Sequence, residues 1–145
     1  MTDALVLDVS VALKWVLEEQ YSDDAHALLR DAIAARRPVA APPLFPAEAT
    51  NAIHQRQRRG DITAAEADAA LETLLAFPVQ LRSPADLYPH AMGIARQYKL
   101  RAAYDSQYLA VALSLDAEFW TADERLYNAL PRSLRWIHWV GDYSP

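Results

Sequence analysis

The chain has 145 residues, 52% of them hydrophobic, and a formal net charge of −5 at pH 7. This length fits one domain over residues 1–145 with a substantial core. The absence of cysteine excludes disulfides, thiolate zinc sites and cysteine nucleophiles, so a reducing cytoplasm is the expected location. The acidic balance argues against a nucleic-acid binder with a broad basic surface, but it is compatible with an enzyme that contacts phosphate through divalent cations.

The first third of the chain alternates short apolar runs with amphipathic ones. Ala4–Leu7 predicts a buried strand, and this run is too short for a signal peptide or a membrane span. Ser10–Leu17 is predicted as the first helix. Ser22, which acidic residues follow, predicts the N-cap of a second helix that runs toward Arg36. Val39–Ala41 is the second predicted strand, and no membrane partner is expected.

Two further helices are predicted before the middle of the chain. The first covers Pro46–Arg59 and ends at Gly60, a residue that favours helix termination. Thr63 and Glu66 have the spacing of a capping box, in which each side chain bonds the other residue's backbone N–H. This pair predicts the start of a helix that continues through Ala76.

The central part of the chain predicts one strand and two helices. Val79–Leu81 reads as the third strand. Ser83 and Asp86 resemble another cap, which leads a helix toward Tyr98. The stretch Asp105–Leu115 has apolar residues at helical spacing and is the next predicted helix.

The C-terminal part continues the alternation. Glu118–Thr121 is the fourth predicted strand, Asp123–Leu130 a short helix and Trp136–Val140 the final strand. Strands separated by helices are typical of a parallel sheet that helices cover on both faces. The predicted fold class is therefore α/β, a three-layer α/β/α domain with a mostly parallel central sheet of about five strands.

Acidic residues stand at the positions where a parallel sheet gathers functional groups, outside the carboxyl ends of its strands. Asp8 follows the first strand, Glu48 lies in the helix after the second, and Asp105 and Asp123 flank the fourth. Taken singly, Asp105 and Asp123 are better explained as helix caps. Asp8 fits a strand-end turn, and Glu48 a helix-dipole partner. Together they would repel one another, and hard divalent cations relieve such repulsion.

Four segments resemble, in order and spacing, those of the PIN-domain family, and in particular of its VapC-type toxins from toxin–antitoxin modules. The segments are Leu7–Ser10, Glu48–Ile53, Tyr104–Ala110 and Thr121–Leu126. The resemblance extends from Leu5 to about Val140. It implies a PIN-like fold and a metal-dependent endoribonuclease that hydrolyses RNA phosphodiester bonds.

The resemblance also implies roles for individual residues. The acids implied to bind Mg²⁺ or Mn²⁺ and to carry catalysis are Asp8, Glu48, Asp105 and Asp123. The implied supporting residues are Ser10, Asn51 and Thr121. Relatives of this type form homodimers and are inhibited by a cognate antitoxin protein, whose C-terminal segment lies along the active-site groove.

Basic residues near these acids are candidates for contact with the RNA backbone. They are Lys14, Arg56, Arg58 and Arg59. A surface lysine with an apolar stem in contact with the protein is an equally good interpretation of Lys14. The arginines are slightly better explained as a cationic last turn that matches the dipole of their helix.

Two other function classes fit parts of the pattern. A phosphoaspartate-type phosphatase or receiver domain also places an Asp after its first strand. Such phosphatases need a second Asp two residues later, where Ser10 stands, and receivers need an acidic pair that Val9 does not supply. A catalytically silent PIN-fold scaffold is the other alternative, and the presence of all four acids argues against it.

Overall fold

The computed structural model describes residues 3–144, which form a five-stranded sheet and seven α-helices. The strands are β1 (Leu5–Leu7), β2 (Val39–Ala41), β3 (Val79–Leu81), β4 (Glu118–Thr121) and β5 (Ile137–Trp139). The helices are α1 (Val9–Val16), α2 (Ser22–Ala34), α3 (Phe45–Arg58), α4 (Ala64–Ala76), α5 (Leu87–Gln97), α6 (Asp105–Leu115) and α7 (Glu124–Ala129). A short 3-10 turn, Val140–Asp142, follows β5. No helix within residues 3–144 has the length and apolarity of a membrane span.

The sheet has the strand order β3-β2-β1-β4-β5, and every strand pair is parallel. The predicted α/β fold class is confirmed, and the sheet is parallel throughout rather than mostly so. From β1 the chain adds β2 and β3 on one side of the sheet, and it then crosses back and adds β4 and β5 on the other side of β1. The order therefore reverses between β1 and β4, which is where doubly wound sheets open a crevice.

Helices cover both faces of the sheet. Leu5, Val6 and Leu7 are all buried, although their side chains alternate between the two faces. Helix α1 packs on β1 and β4 and contacts α2, α3 and α4. Helix α6 packs on β1, β2 and β4 and contacts α5. These two groups of helices form the outer layers of the predicted three-layer arrangement.

The helix boundaries around Gly60 follow the sequence prediction. Thr63 Oγ1 accepts a hydrogen bond from the Glu66 N–H, and Glu66 Oε1 accepts one from the Thr63 N–H, both at 3.1 Å. Gly60 ends α3 with a φ of 82°, in the left-handed region that glycine adopts at little cost. The predicted capping box and helix stop are both confirmed.

Two other predicted caps are wrong. Ser22 is the first residue of α2, and its hydroxyl accepts from the Glu19 N–H at 3.0 Å and donates to the Leu17 carbonyl at 3.2 Å. The hydroxyl therefore stabilises the preceding loop instead of the helix end. Asp86 stands at the N-cap of α5 without a side-chain cap bond, and Ser83 lies in the loop before it.

Candidate active site at the carboxyl edge of the sheet

Asp8 lies at the junction of β1 and α1 and is only 5% exposed. The Ser10 hydroxyl donates to Asp8 Oδ1, and the Thr121 hydroxyl donates to Asp8 Oδ2 at 2.5 Å. The Val11 N–H lies 3.4 Å from Oδ1, so Asp8 is also the N-cap of α1. Both carboxylate oxygens are thus oriented by neighbouring donors.

The same two hydroxyls position the turn that follows β4. Ser10 Oγ accepts a hydrogen bond from the Ala122 N–H at 2.8 Å. Thr121 Oγ1 accepts one from the Asp123 N–H at 3.0 Å. This network places Asp123 beside the Asp8 end of the sheet, across the point where the strand order reverses.

Asp105 and Asp123 differ in their local roles. Asp123 is the N-cap of α7, and its Oδ1 accepts from the Leu126 N–H at 3.2 Å. Asp105 is the first residue of α6, where Tyr104 occupies the cap position. Within residues 3–144, no hydrogen bond or ion pair involves the Asp105 carboxylate. Helix capping is therefore one structural role of Asp123, whereas Asp105 does not act as a helix cap.

Glu48 is held by a tyrosine that belongs to a different helix. It lies in the first turn of α3, and its Oε1 accepts a hydrogen bond of 2.6 Å from the Tyr108 hydroxyl. Tyr108 lies on α6, three residues after Asp105, and is 1% exposed. Burial and the Glu48, Asp8 and Asp105 charges raise the pKa of Tyr108, so its hydroxyl remains a proton donor.

The sequence patterns did not single out Tyr108 within the predicted helix Asp105–Leu115. Two signals identify its role in retrospect. A buried tyrosine hydroxyl needs a hydrogen-bond partner, and a residue three positions after Asp105 lies on the same face of the helix. The partner, Glu48, comes from 60 positions earlier in the chain.

Burial and mutual repulsion shift the carboxyl groups away from their ordinary pKa values. Desolvation raises the pKa of Asp8 to about 7; the Ser10 and Thr121 hydrogen bonds oppose this shift, and the Asp105 and Asp123 charges add to it. Desolvation also raises the pKa of Asp105 to about 6, with contributions from the Asp123 and Glu48 charges.

Burial and hydrogen bonding also act in opposite directions on the pKa of Glu48. Desolvation raises the pKa of Glu48, and the hydrogen bond from Tyr108 acts in the opposite direction. The structure therefore brings Asp8, Glu48, Asp105 and Asp123 into one electrostatic environment. Groups with strongly shifted pKa values in a crevice are typical of functional sites.

The donor chemistry of these residues fits a hard divalent cation, because all of them offer carboxylate oxygens. Within residues 3–144, no group of three or more Asp, Glu or His side chains has a geometry that could hold a metal ion as it stands. Mg²⁺ usually keeps several waters and takes only one or two protein carboxylates, so a closed protein cage is not required. The residues therefore fit the ion by their chemistry and charge.

Asn51 and two of the candidate RNA contacts have distinct environments. Asn51 is exposed on α3, one turn after Glu48. Lys14 is 8% exposed, and its Nζ lies 3.0 Å from Glu19 Oε1. Arg56 lies 2.7 Å from the other oxygen of Glu19. Contact of Lys14 or Arg56 with RNA remains a prediction, and it would compete with Glu19.

The last two candidates stand at the end of α3. Arg59 lies 3.1 Å from Asp61 Oδ2, and both side chains are largely exposed. Arg58 is exposed and forms no salt bridge within the described residues. Such exposed charges contribute little to stability, and their role as RNA contacts stays a prediction.

A cleft of about 390 Å³ opens directly beside the acids. Asp105 and Asp123 line it together with Lys99, Arg101 and Arg125. The sequence interpretation did not single out these basic residues, because they belong to a loop and a short helix with no recognisable charge cluster. Only the packing of the loop before α6 against α7 brings them together.

Comparison with known proteins identifies the fold and its relatives. Residues 5–129 match the PIN domain. Ribonuclease VapC3 of Mycobacterium tuberculosis is 37% identical over 97 residues, which cover 67% of this chain and 69% of VapC3. The crystal structure of PAE2754 from Pyrobaculum aerophilum superposes with a TM-score of 0.67 at 23% identity, over 97% of this chain and 93% of that one. The chain therefore belongs to the PIN-domain family, and its similarity to VapC3 confirms the resemblance to VapC-type ribonucleases within that family.

Proposed function

We propose that this chain is a divalent-metal-dependent endoribonuclease that acts as the toxin of a toxin–antitoxin pair. The observation that carries the proposal is the gathering of Asp8, Glu48, Asp105 and Asp123 at the switch point of the sheet. Burial raises the pKa values of Asp8 and Asp105, and the neighbouring carboxylates add to both shifts. The similarity to Ribonuclease VapC3 supports RNA as the substrate.

In this proposal Asp8, Glu48, Asp105 and Asp123 are the acids that would hold Mg²⁺ or Mn²⁺. An ion held there would supply a water molecule of lowered pKa and would stabilise negative charge on the phosphate oxygens. The protein's own contribution is to fix the carboxylates in place. Ser10 and Thr121 orient Asp8 through their hydroxyls, and Tyr108 orients Glu48.

The chain does not need a protein nucleophile for this reaction. It contains no cysteine, and its four histidines lie on separate elements. In this proposal water would attack the phosphorus atom, the P–O bond to the leaving sugar oxygen would break, and a proton lost by the water would be balanced by one taken up by that oxygen. We expect the scissile phosphate at the carboxyl edge of β1 and β4, close to Asp8, which is only 5% exposed.

The remaining parts of the proposal concern assembly and location. We expect a single domain over residues 1–145, a cytoplasmic location, a homodimer and a cognate antitoxin. Exposed apolar side chains on α5, Tyr88 at 61% and Met92 at 54%, support self-association. Closed two-fold dimers are the commonest outcome of such association.

Sequencing of RNA ends after induced expression tests the proposed function. Cells that express the wild type should contain new RNA ends at defined sites. Cells that express Asp8→Asn at the same level should lack them. Equal sets of ends in both samples would assign the cleavage to another enzyme and would contradict the proposal.

A further inference from the structure

The cleft beside Asp105 and Asp123 combines opposite charges in a way that the acids alone do not explain. Its basic residues come from two directions. Lys99 and Arg101 belong to the loop between α5 and α6, and Arg125 is the second residue of α7. All three side chains belong to exposed residues.

Unlike Lys14, Arg56 and Arg59, these basic residues have no acidic partner within residues 3–144. Glu19 neutralises Lys14 and Arg56, and Asp61 neutralises Arg59. Within residues 3–144, Lys99, Arg101 and Arg125 form no salt bridge. Their charges therefore remain available to an anionic ligand.

Lys99 holds its position at a local cost. Its φ is 54°, in the left-handed region that penalises every residue with a Cβ atom. It follows the end of α5, and the next N–H, that of Leu100, bonds the Ala95 carbonyl at 2.9 Å. Glycine is the favoured residue in such a helix-ending turn.

Arg125 also occupies a helix position that favours a different kind of side chain. It lies in the first turn of α7, where the helix dipole favours acidic side chains. Two departures from local preference thus meet in one cleft, next to Asp105 and Asp123. Residues that break local rules without a structural benefit are concentrated at functional sites.

We propose that Lys99, Arg101 and Arg125 bind the phosphodiester backbone of RNA next to the scissile phosphate. This inference rests on the proposed nuclease function. A protein of net charge −5 repels a polyanion at long range, so it needs local cations to bind one. The cleft supplies three such cations beside Asp105 and Asp123.

The structure offers a matched pair of variants for the test. Arg36 also has a positive φ, 55°, after the end of α2, and the Arg37 N–H bonds the Ala32 carbonyl at 2.8 Å. Lys99→Gly and Arg36→Gly therefore relieve the same strain and remove the same charge. Arg36 precedes β2, at the amino edge of the sheet, whereas Lys99 precedes α6 at the acidic edge. Only Lys99 lines the proposed cleft.

Binding of a fluorescent, mixed-sequence RNA should be measured by anisotropy as a function of salt. All proteins carry Asp8→Asn, so that the RNA stays intact. Lys99→Gly should weaken binding by about three- to tenfold and lower the salt slope by about 0.7, the value for one lost contact to single-stranded RNA. Arg36→Gly should bind like the parent, and both variants should melt at or above the parent temperature.

A triple variant, Lys99→Gly with Arg101→Gln and Arg125→Gln, should lower the salt slope by about 2. Equal binding by the Lys99→Gly and Arg36→Gly proteins would overturn the inference, as would undetectable RNA binding by the parent at low salt. Cleavage by the protein without Asp8→Asn is measured separately. If that protein cleaves RNA while the cleft variants bind normally, only this inference fails, and the nuclease proposal stands.

Discussion

Thr121 Oγ1 donates a hydrogen bond of 2.5 Å to Asp8 Oδ2, although the two residues are 113 positions apart in the chain. The parallel register of β1 and β4 places Leu7 opposite Trp120, so the next residues along the two chain segments, Asp8 and Thr121, become neighbours. The orientation of Asp8 therefore depends on the correct pairing of β4. Formation of the candidate site is coupled in this way to the completion of the sheet.

Asp8→Asn should abolish RNA cleavage and leave the fold intact. The substitution removes one negative charge from a crowded site and one oxygen ligand of the proposed metal. If that ligand contributes several kcal/mol to the stabilisation of charge, the rate falls by roughly 10²-fold or more. The rate is measured on purified protein with Mg²⁺ present, and circular dichroism reports the fold.

Asp68→Asn is a matched control, because Asp68 is exposed on α4, away from the carboxyl edge of β1 and β4. It makes the same chemical change and should keep the wild-type rate. Full activity of Asp8→Asn would remove Asp8 from the proposed metal ligands.

The stability of the metal-free protein should fall as the pH rises from about 4 to 7. The pKa of Asp8 is about 7 in the folded state and 3.8 as an ordinary Asp, so the folded protein binds more protons in this interval. The free energy of unfolding then decreases with pH by up to about 1.4 kcal/mol per pH unit for such a group. Denaturant unfolding in EDTA measures this slope.

Two comparisons isolate the contribution of Asp8 to that slope. Asp8→Asn should reduce the slope between pH 4 and 7 and leave the part that Asp105 and Glu48 contribute. Mg²⁺ should raise the melting temperature of the wild type by linkage. An NMR titration that finds ordinary carboxyl pKa values for Asp8 and Asp105 in the metal-free protein would argue against a shared site.

Tyr108→Phe should destabilise the protein and lower its activity. The variant loses the hydrogen bond to Glu48 Oε1, a bond to a charged group that contributes about 1.5–3 kcal/mol. It should also raise the pKa of Glu48, because that hydrogen bond lowers it in the wild type. Carboxyl NMR of the metal-free variant measures this pKa. An unchanged Glu48 pKa would show that the contact is absent in solution.

Ser106→Ala should stabilise the protein. Ser106 is completely buried, and its hydroxyl has no hydrogen-bond partner among residues 3–144. A buried hydroxyl without a partner costs about 1–3 kcal/mol, and alanine removes that hydroxyl. The midpoint of urea unfolding should rise at an unchanged slope. A lower midpoint would indicate that water or another group satisfies Ser106.

Much of the fold is readable from the sequence because apolar periodicity and helix breakers act locally. Val39–Ala41 and Val79–Leu81 have the predicted bounds, as does the helix Asp105–Leu115. The cap predicted at Ser22 is wrong because its hydroxyl bonds Leu17 and the Glu19 N–H instead. Propensity alone does not distinguish between such competing partners.

Contacts between segments that are distant in the chain could not be predicted from the sequence. The hydrogen bond from Tyr108 to Glu48 and the ion pairs of Glu19 join different helices and loops through tertiary packing. Lys99, which lines the cleft beside Asp105, has a left-handed backbone conformation. A lysine in the sequence does not predict that conformation. Local patterns identified the acids, and packing determines their partners.

A metal titration of RNA cleavage by the purified protein tests the central claim most directly. The protein is stripped with EDTA, and the cleavage rate is followed as Mg²⁺ or Mn²⁺ is added to wild type, Asp105→Asn and the Asp68→Asn control. We expect no cleavage before metal is added, saturable activity in the wild type and the control, and none in Asp105→Asn. Cleavage that continues in excess EDTA, or RNA binding without cleavage at any metal concentration, would contradict the claim that these acids form a metal-dependent nuclease site.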